Sequence, residues 1–252
     1  MVDANQYINQ VFPPSVNRTN ITRLDVSNKN LINTINLGPS ENFTNIVELN
    51  TSFNQIIGFS LGVLPQMRIM DFSHNLMTNF IITNSALLPK LSIINISYNL
   101  LSDIGPGSVI LTHLDISNNL LTRLDLQNCK NLVTLNCLAN PNLSILILHS
   151  SFDPFDSNNF DCRGTSIGQI NTTSFIFDCQ TGTRTLKNAT VSQSNNNASN
   201  HDTLYIGIII GMGIHRYENI LETNVSNKFR NACYGIIDMK ESLIGIVFDK
   251  SL

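Results

Sequence analysis

From residue 21 to about residue 150 the chain repeats one arrangement of apolar and polar positions. Six windows begin at Ile21, Ile46, Met67, Leu91, Leu111 and Leu132. Three residues on, the next column reads Leu24, Leu49, Met70, Ile94, Leu114 and Leu135, and two further it reads Val26, Thr51, Phe72, Ile96, Ile116 and Cys137. A polar column follows, Lys29, Asn54, Asn75, Asn99, Asn119 and Asn140, and two residues later Leu31, Ile56, Met77, Leu101 and Leu121, with the sixth slipped to Leu143. Strand side chains alternate faces with period two, so the fourth and sixth positions of each window point into one core. The windows step by 25, 21, 24, 20 and 21 residues. A single coil of that length cannot bury its apolar edge, so the coils must stack and cover one another.

The polar column has a physical reason. Where the backbone turns after a strand, its amides and carbonyls lose ladder partners, and each costs about 1–3 kcal/mol if buried unpaired. An Asn side chain offers both a donor and an acceptor. Asn54, Asn75, Asn99, Asn119 and Asn140 are therefore expected to form a structural ladder along the bends. In Leu121–Leu126 and Leu143–Leu148 the apolar pattern returns ten or eleven residues after the first strand, too soon for an amphipathic helix. Gly58, Gly62, Pro65, Pro89 and the Gly105-Pro106-Gly107 run also break helices. The pattern predicts a flattened, β-rich solenoid whose second side is short strand or extended chain, with little helix.

The run Leu111-Thr-His-Leu-Asp-Ile-Ser-Asn-Asn-Leu-Leu121 resembles the leucine-rich-repeat family, whose pattern is LxxLxLxxNxL, and the resemblance spans residues 21–150. Lys29 stands where the first Asn belongs, and Thr51 and Cys137 replace larger apolar residues. The resemblance implies an α/β solenoid of β-rich character: a right-handed coil of about six turns with one parallel sheet. Around it the chain divides into an N-terminal segment (1–20), a capping region (151–187), an Asn/Ser-rich linker (188–202) and a final stretch (203–252). In that stretch Leu204–Ile214 is apolar, with Gly207 and Gly211 four apart. Eleven residues of helix rise only ~17 Å against a ~30 Å hydrocarbon core. Two readings stay open, a small α/β unit opening on a strand and a partial membrane anchor starting near Leu204.

The outward strand positions form the candidate contact face. Its middle column reads Asp25, Asn50, Asp71, Asn95, Asp115 and Asn136, followed outward by Ser27, Ser52, Ser73, Ser97, Ser117 and Leu138. Arg23, Glu48, Ile69, Ile93, His113 and Thr134 flank it on one side, and Asn28, Phe53, His74, Tyr98, Asn118 and Ala139 on the other. Aromatic side chains dominate interface energetics. The expected partner-binding set is Arg23, Asp25, Glu48, Asn50, Phe53, Asp71, His74, Asn95, Tyr98, His113 and Asp115, holding an unidentified polypeptide. The plainer reading is that Ser and Asn/Asp recur because the turn favours them.

Composition narrows the function. A net charge of −3 with 13% charged residues excludes a basic nucleic-acid binder, and 42% apolar residues suffice for a core. Asn is about one residue in seven, so amides supply much of the solubility, and sequons such as those at Asn50 and Asn95 arise easily. His74, His113, His149, His201 and His215 are scattered without a nucleophile beside them, and Asp25, Asp71 and Asp115 are spread along the stack. The expectation is a non-catalytic, monomeric chain with no cofactor or metal. Cys129 and Cys137 read as buried core residues, whereas Cys162 and Cys179, 17 apart in Phe-Asp-Cys contexts, would staple the cap by a disulfide or stay as thiols in a reducing compartment. Met1–Asn20 shows no basic start followed by an apolar run, which favours the cytoplasm, with a membrane or cell-surface location as the alternative.

Overall fold

Alternating inward residues fix the strand register, and the turn chemistry fixes where each strand stops. The structure is a computed structural model describing residues 1–82, 84–105, 110–154, 157–187, 191–192, 205–206, 208–210 and 213–215. Seven short parallel strands make one sheet: Arg23–Asp25, Glu48–Asn50, Ile69–Asp71, Ile93–Asn95, His113–Asp115, Thr134–Asn136 and Phe160–Asp161. Leu24, Leu49, Met70, Ile94, Leu114, Leu135 and Phe160 lie in register from strand to strand. All of them are buried, as are Val26, Phe72, Ile96, Ile116 and Cys137 two residues on. At roughly 1.5–3 kcal/mol per large apolar side chain removed from water, this column pair is the principal source of stability. Backbone bonding from coil to coil continues past the strands, as in Phe72 N to Asn95 O (2.8 Å) and Ile96 N to Asp115 O (2.8 Å).

The second side is also built of short strands. Leu31–Leu37 pairs in parallel with Gln55–Leu61 and with Val2–Asp3, Asn79–Ile81 with Asp103–Gly105, and Arg123–Leu126 with Ile145–Leu148. The rings of Phe59, Phe72 and Phe80 meet between the two sides, with centroids 4.8–6.0 Å apart. The fold is thus a leucine-rich-repeat-like parallel β-solenoid with little helix. Among the described residues the one α-helix is Ala4–Val11.

That helix begins where the Asp3 carboxylate accepts the backbone N–H groups of Asn5 and Gln6, a side-chain N-cap. Its Ala4 and Ile8 are buried, and the Asn5 amide ties it to Thr34 O and Asn36 N. Below it Arg18 is 4% exposed. The guanidinium forms an ion pair with Glu41 (2.6 Å), donates to Phe12 O and Asn9, and stands 4.8 Å over the Phe43 ring.

At the other end, the stretch read as a cap contains the seventh strand, and Cys162 continues the inward column of Cys137. A three-stranded sheet follows, Gln169–Asn171, Phe175–Asp178 and Arg184–Leu186. A Cys162–Cys179 disulfide joins the last coil to it. Phe160 packs edge-on against Phe152 and Phe177, covering the end of the core with aromatic rings.

Residues 1–154 and 158–185 make one compact unit, and 155–157 with 186–252 a second. In the second, Val191–Ser192 pairs antiparallel with Tyr205–Ile206, and Ile208–Ile210 with Gly213–His215. The apolar run read as one strand or an anchor is therefore divided among short paired strands. The rest of the predicted linker, and the helix and strands predicted beyond His215, lie outside the described residues. No described helix is long and apolar enough to cross a membrane.

Candidate interaction surface

The bend after each strand is closed by side-chain amides. Oδ1 of Asn54, Asn75, Asn99, Asn119 and Asn140 accepts the backbone N–H of Leu31, Ile56, Met77, Leu101 and Leu121 respectively, at 2.9–3.2 Å. Each Nδ2 donates to a carbonyl of the preceding coil, from Val26, Thr51, Phe72, Ile96 and Ile116 in turn, at 2.9–3.0 Å. The same Nδ2 reaches a carbonyl of its own coil three residues back, as in Asn99 to Ile96 O (3.1 Å). These amides stack coil upon coil, all buried. In the seventh coil the Thr165 hydroxyl bonds Cys162 O (2.8 Å) at the equivalent place.

One residue before each ladder position the backbone is left-handed. Asn28, Phe53, His74, Tyr98, Asn118 and Ala139 have φ between +53° and +56°, and Gly164 has φ +67°. Gly and Asn tolerate this region, but a bulky side chain there is strained by about 1–2 kcal/mol. Three consecutive coils nevertheless carry rings. Phe53 and His74 stack with centroids 4.1 Å apart and planes 12° from parallel, and His74 and Tyr98 at 4.2 Å and 9°. Phe53 is 56% and Tyr98 51% exposed. Leu76, Leu100 and Leu120, one residue past the ladder, are exposed as well. Together they line the outside of the bend with an apolar strip.

The middle column is largely committed to the fold. Oδ1 of Asp25, Asn50, Asp71, Asn95, Asp115, Asn136 and Asp161 accepts the N–H two residues on, at 2.9–3.2 Å. Ser52, Ser73, Ser97 and Ser117 at those positions are buried, where the strand pattern had placed them outward. The chain has already turned inward there.

Acid and amide alternate strictly along this column, for a clear reason. Carboxylates on adjacent strands would repel, whereas an interposed Asn donates: Asn95 Nδ2 to Asp71 Oδ2 (3.4 Å) and Asn136 Nδ2 to Asp115 Oδ2 (3.0 Å). Asn95→Asp would set three carboxylates side by side. It is expected to cost about 1 kcal/mol at pH 7. The penalty should shrink at high salt, which screens like charges, read from urea midpoints at low and high ionic strength.

At the ends the acids have cations. Arg23 bonds Asp25 (3.4 Å) and Glu48 (3.2 Å), and Arg163 bonds Asp161 (2.6 Å). The Ser27 hydroxyl and amide, then the Arg23 charge, hold the Asp25 carboxyl below its ordinary range. Burial pushes the Asp161 carboxyl up, but the Arg163 hydrogen bonds and charge outweigh it and leave it lowered. Among the described residues Asp71 and Asp115 are in no ion pair.

The structure thus brings Phe53, His74 and Tyr98 together and lines up the Asp/Asn column. Arg23 and His113 share a flank but stand four strands apart. The left-handed column escaped the sequence reading, although Asn28 and Asn118 within it were a usable sign. No group of three or more His, Cys, Asp or Glu able to hold a metal occurs among the described residues. A hollow of about 490 Å³ near His149, Phe152 and Thr172 and one of about 400 Å³ around Arg18 lie away from the strip. Burial, then nearby Asp125, pushes the Cys129 thiol up to about 11, and burial raises Cys137 further, so both are protonated at neutral pH.

No protein-family model matches the chain, and no curated protein matches it. Among solved structures it is similar to the functional domain of InlJ from Listeria monocytogenes, which includes a cysteine ladder. The two are 23% identical over 60% of this chain and 39% of that one, with a TM-score of 0.37. This chain therefore spans well under half the length of that neighbour.

Proposed function

We propose that the chain is a member of the leucine-rich-repeat family and works as a non-catalytic scaffold, holding a polypeptide partner on its strand face and the adjoining bend. One observation carries the reading: Phe53, His74 and Tyr98 keep large, stacked rings, the outer two exposed and His74 half-buried between them, on a left-handed backbone that Asn or Gly would occupy without strain. Strain retained at an exposed site points to use of the side chain, and aromatic rings are the usual anchors of an interface.

The test uses a random peptide display library panned on the whole chain, wild type and Phe53→Asn/Tyr98→Asn. Asn already occupies this column at Asn28 and Asn118, so the variant is expected to keep its backbone and its melting temperature. Sequences enriched by the wild type should lose at least tenfold in enrichment on the variant. Equal enrichment on both would place binding elsewhere or nowhere.

A second reading, a surface-displayed receptor or adhesin, is favoured by the Cys162–Cys179 bridge, because such bridges persist in oxidising compartments. Membrane fractionation of the expressed chain with a glycan stain distinguishes it. A soluble, unglycosylated product with reduced Cys162 and Cys179 counts against it.

A further inference from the structure

We propose that the apolar strip takes a cationic, extended polypeptide segment whose basic side chains, three residues apart, reach Asp71 and Asp115; this rests on the scaffold reading above.

The strip sets where the segment lies. Phe53 and Tyr98 are exposed, His74 is sandwiched between them, and Leu76, Leu100 and Leu120 run beside them across the ladder. Apolar contacts of this kind give area but little choice of partner, and charge supplies the choice. Asp71 and Asp115 each stand three residues ahead of their own coil's left-handed residue, His74 and Asn118. Both are half-buried, and no described cation pairs with them. The terminal acids differ: Asp25 and Asp161 each have an Arg of their own. Negative charge is therefore neutralised at both ends of the column and left uncompensated beside the strip. A basic partner fits that distribution and an acidic one does not. A second copy of this chain, with a net charge of −3 and its Arg23 and Arg163 already in ion pairs, fits it poorly.

Spacing sets the conformation. Asp71, Asn95 and Asp115 are register partners on successive strands, so the two acids lie two inter-strand steps apart, about 10 Å. A polyproline II chain advances about 3.1 Å per residue and presents the same face every third residue, about 9 Å. Basic side chains at i and i+3 then meet both acids, while an apolar residue in the same repeat lies on the rings.

Fluorescence anisotropy with the whole chain tests this, using labelled twelve-residue peptides of Lys-Pro-Leu repeats and of Glu-Pro-Leu repeats. The Lys peptide should bind at least fivefold more tightly than the Glu peptide. It should also lose at least fivefold in affinity to Asp71→Asn/Asp115→Asn. Asn already caps the same turn at Asn50, Asn95 and Asn136, so that variant keeps its turn caps, and its melting curve checks that it is folded at the assay temperature. As a gain of function, Asn95→Asp should tighten the Lys peptide at least threefold. Smaller changes in any of the three overturn the proposal, as does a dimer of the wild type that Phe53→Asn/Tyr98→Asn dissolves, since the occupant is then a second copy. The two readings fail separately. Library peptides that need Phe53 and Tyr98 but ignore Asp71 and Asp115 sink this inference and leave the scaffold standing, whereas no dependence on the rings sinks both.

Discussion

Asn119→Leu is expected to lower stability by about 3 kcal/mol and to drop the melting temperature far more than Asn118→Gly beside it. Leucine matches the branching but none of the bonds. Leu101 N–H loses its acceptor, and the carbonyls of Ile96, Ile116 and Ser117 each lose one of two donors, keeping Asn99 Nδ2, Asn140 Nδ2 and Tyr98 N–H respectively. Asn119 is only 2% exposed, so water does not replace the amide. One buried unsatisfied amide costs about 1–3 kcal/mol and three weakened carbonyls add about 1 kcal/mol more, so the expected loss is about 3 kcal/mol. Asn118, at φ +56°, donates nothing to the ladder, and glycine suits that backbone. Equal thermal shifts for the two variants would mean that the amide spine is dispensable.

Arg18→Met should cost about 3 kcal/mol in a denaturant titration, through the charge it leaves behind. Methionine fills much of the space over Phe43, but Glu41 loses its cation and Phe12 O and Asn9 lose their donor. Removing one member of a buried pair is costly, while replacing both by apolar groups is often close to neutral. Arg18→Met/Glu41→Leu should therefore recover most of the loss. A double variant no more stable than Arg18→Met would assign the effect to lost packing.

Much of the fold was legible because its energetics are periodic. Leu24 to Leu135 and Asn54 to Asn140 recur at intervals that nothing but stacked coils explains. The seventh coil was not, because Phe160-Asp-Cys-Arg-Gly-Thr165 has Thr for the ladder Asn and Arg for the buried Ser, and an irregular loop precedes it. The N-terminal cap was hidden for another reason. Its helix buries only Ala4 and Ile8, and its main tie is a buried Arg whose partner Glu41 is 23 residues away. Of the contact face, the aromatic column was visible as composition, but its strain was not. Left-handed backbone leaves a trace in sequence only where Asn or Gly occupies it, and rings at Phe53 and Tyr98 mask that trace. The Ser column was misplaced outward because strand alternation was carried one step past the end of the strand.

The alternation of acid and amide down the strand face also constrains how such a molecule can change length. Excising the single coil that carries Asn95 would seat Asp71 directly against Asp115, and duplicating one coil would likewise double either an acid or an amide. Adding or deleting coils in pairs preserves the sequence of donors and acceptors, so parity, more than total size, is what this architecture has to conserve as it grows or shrinks.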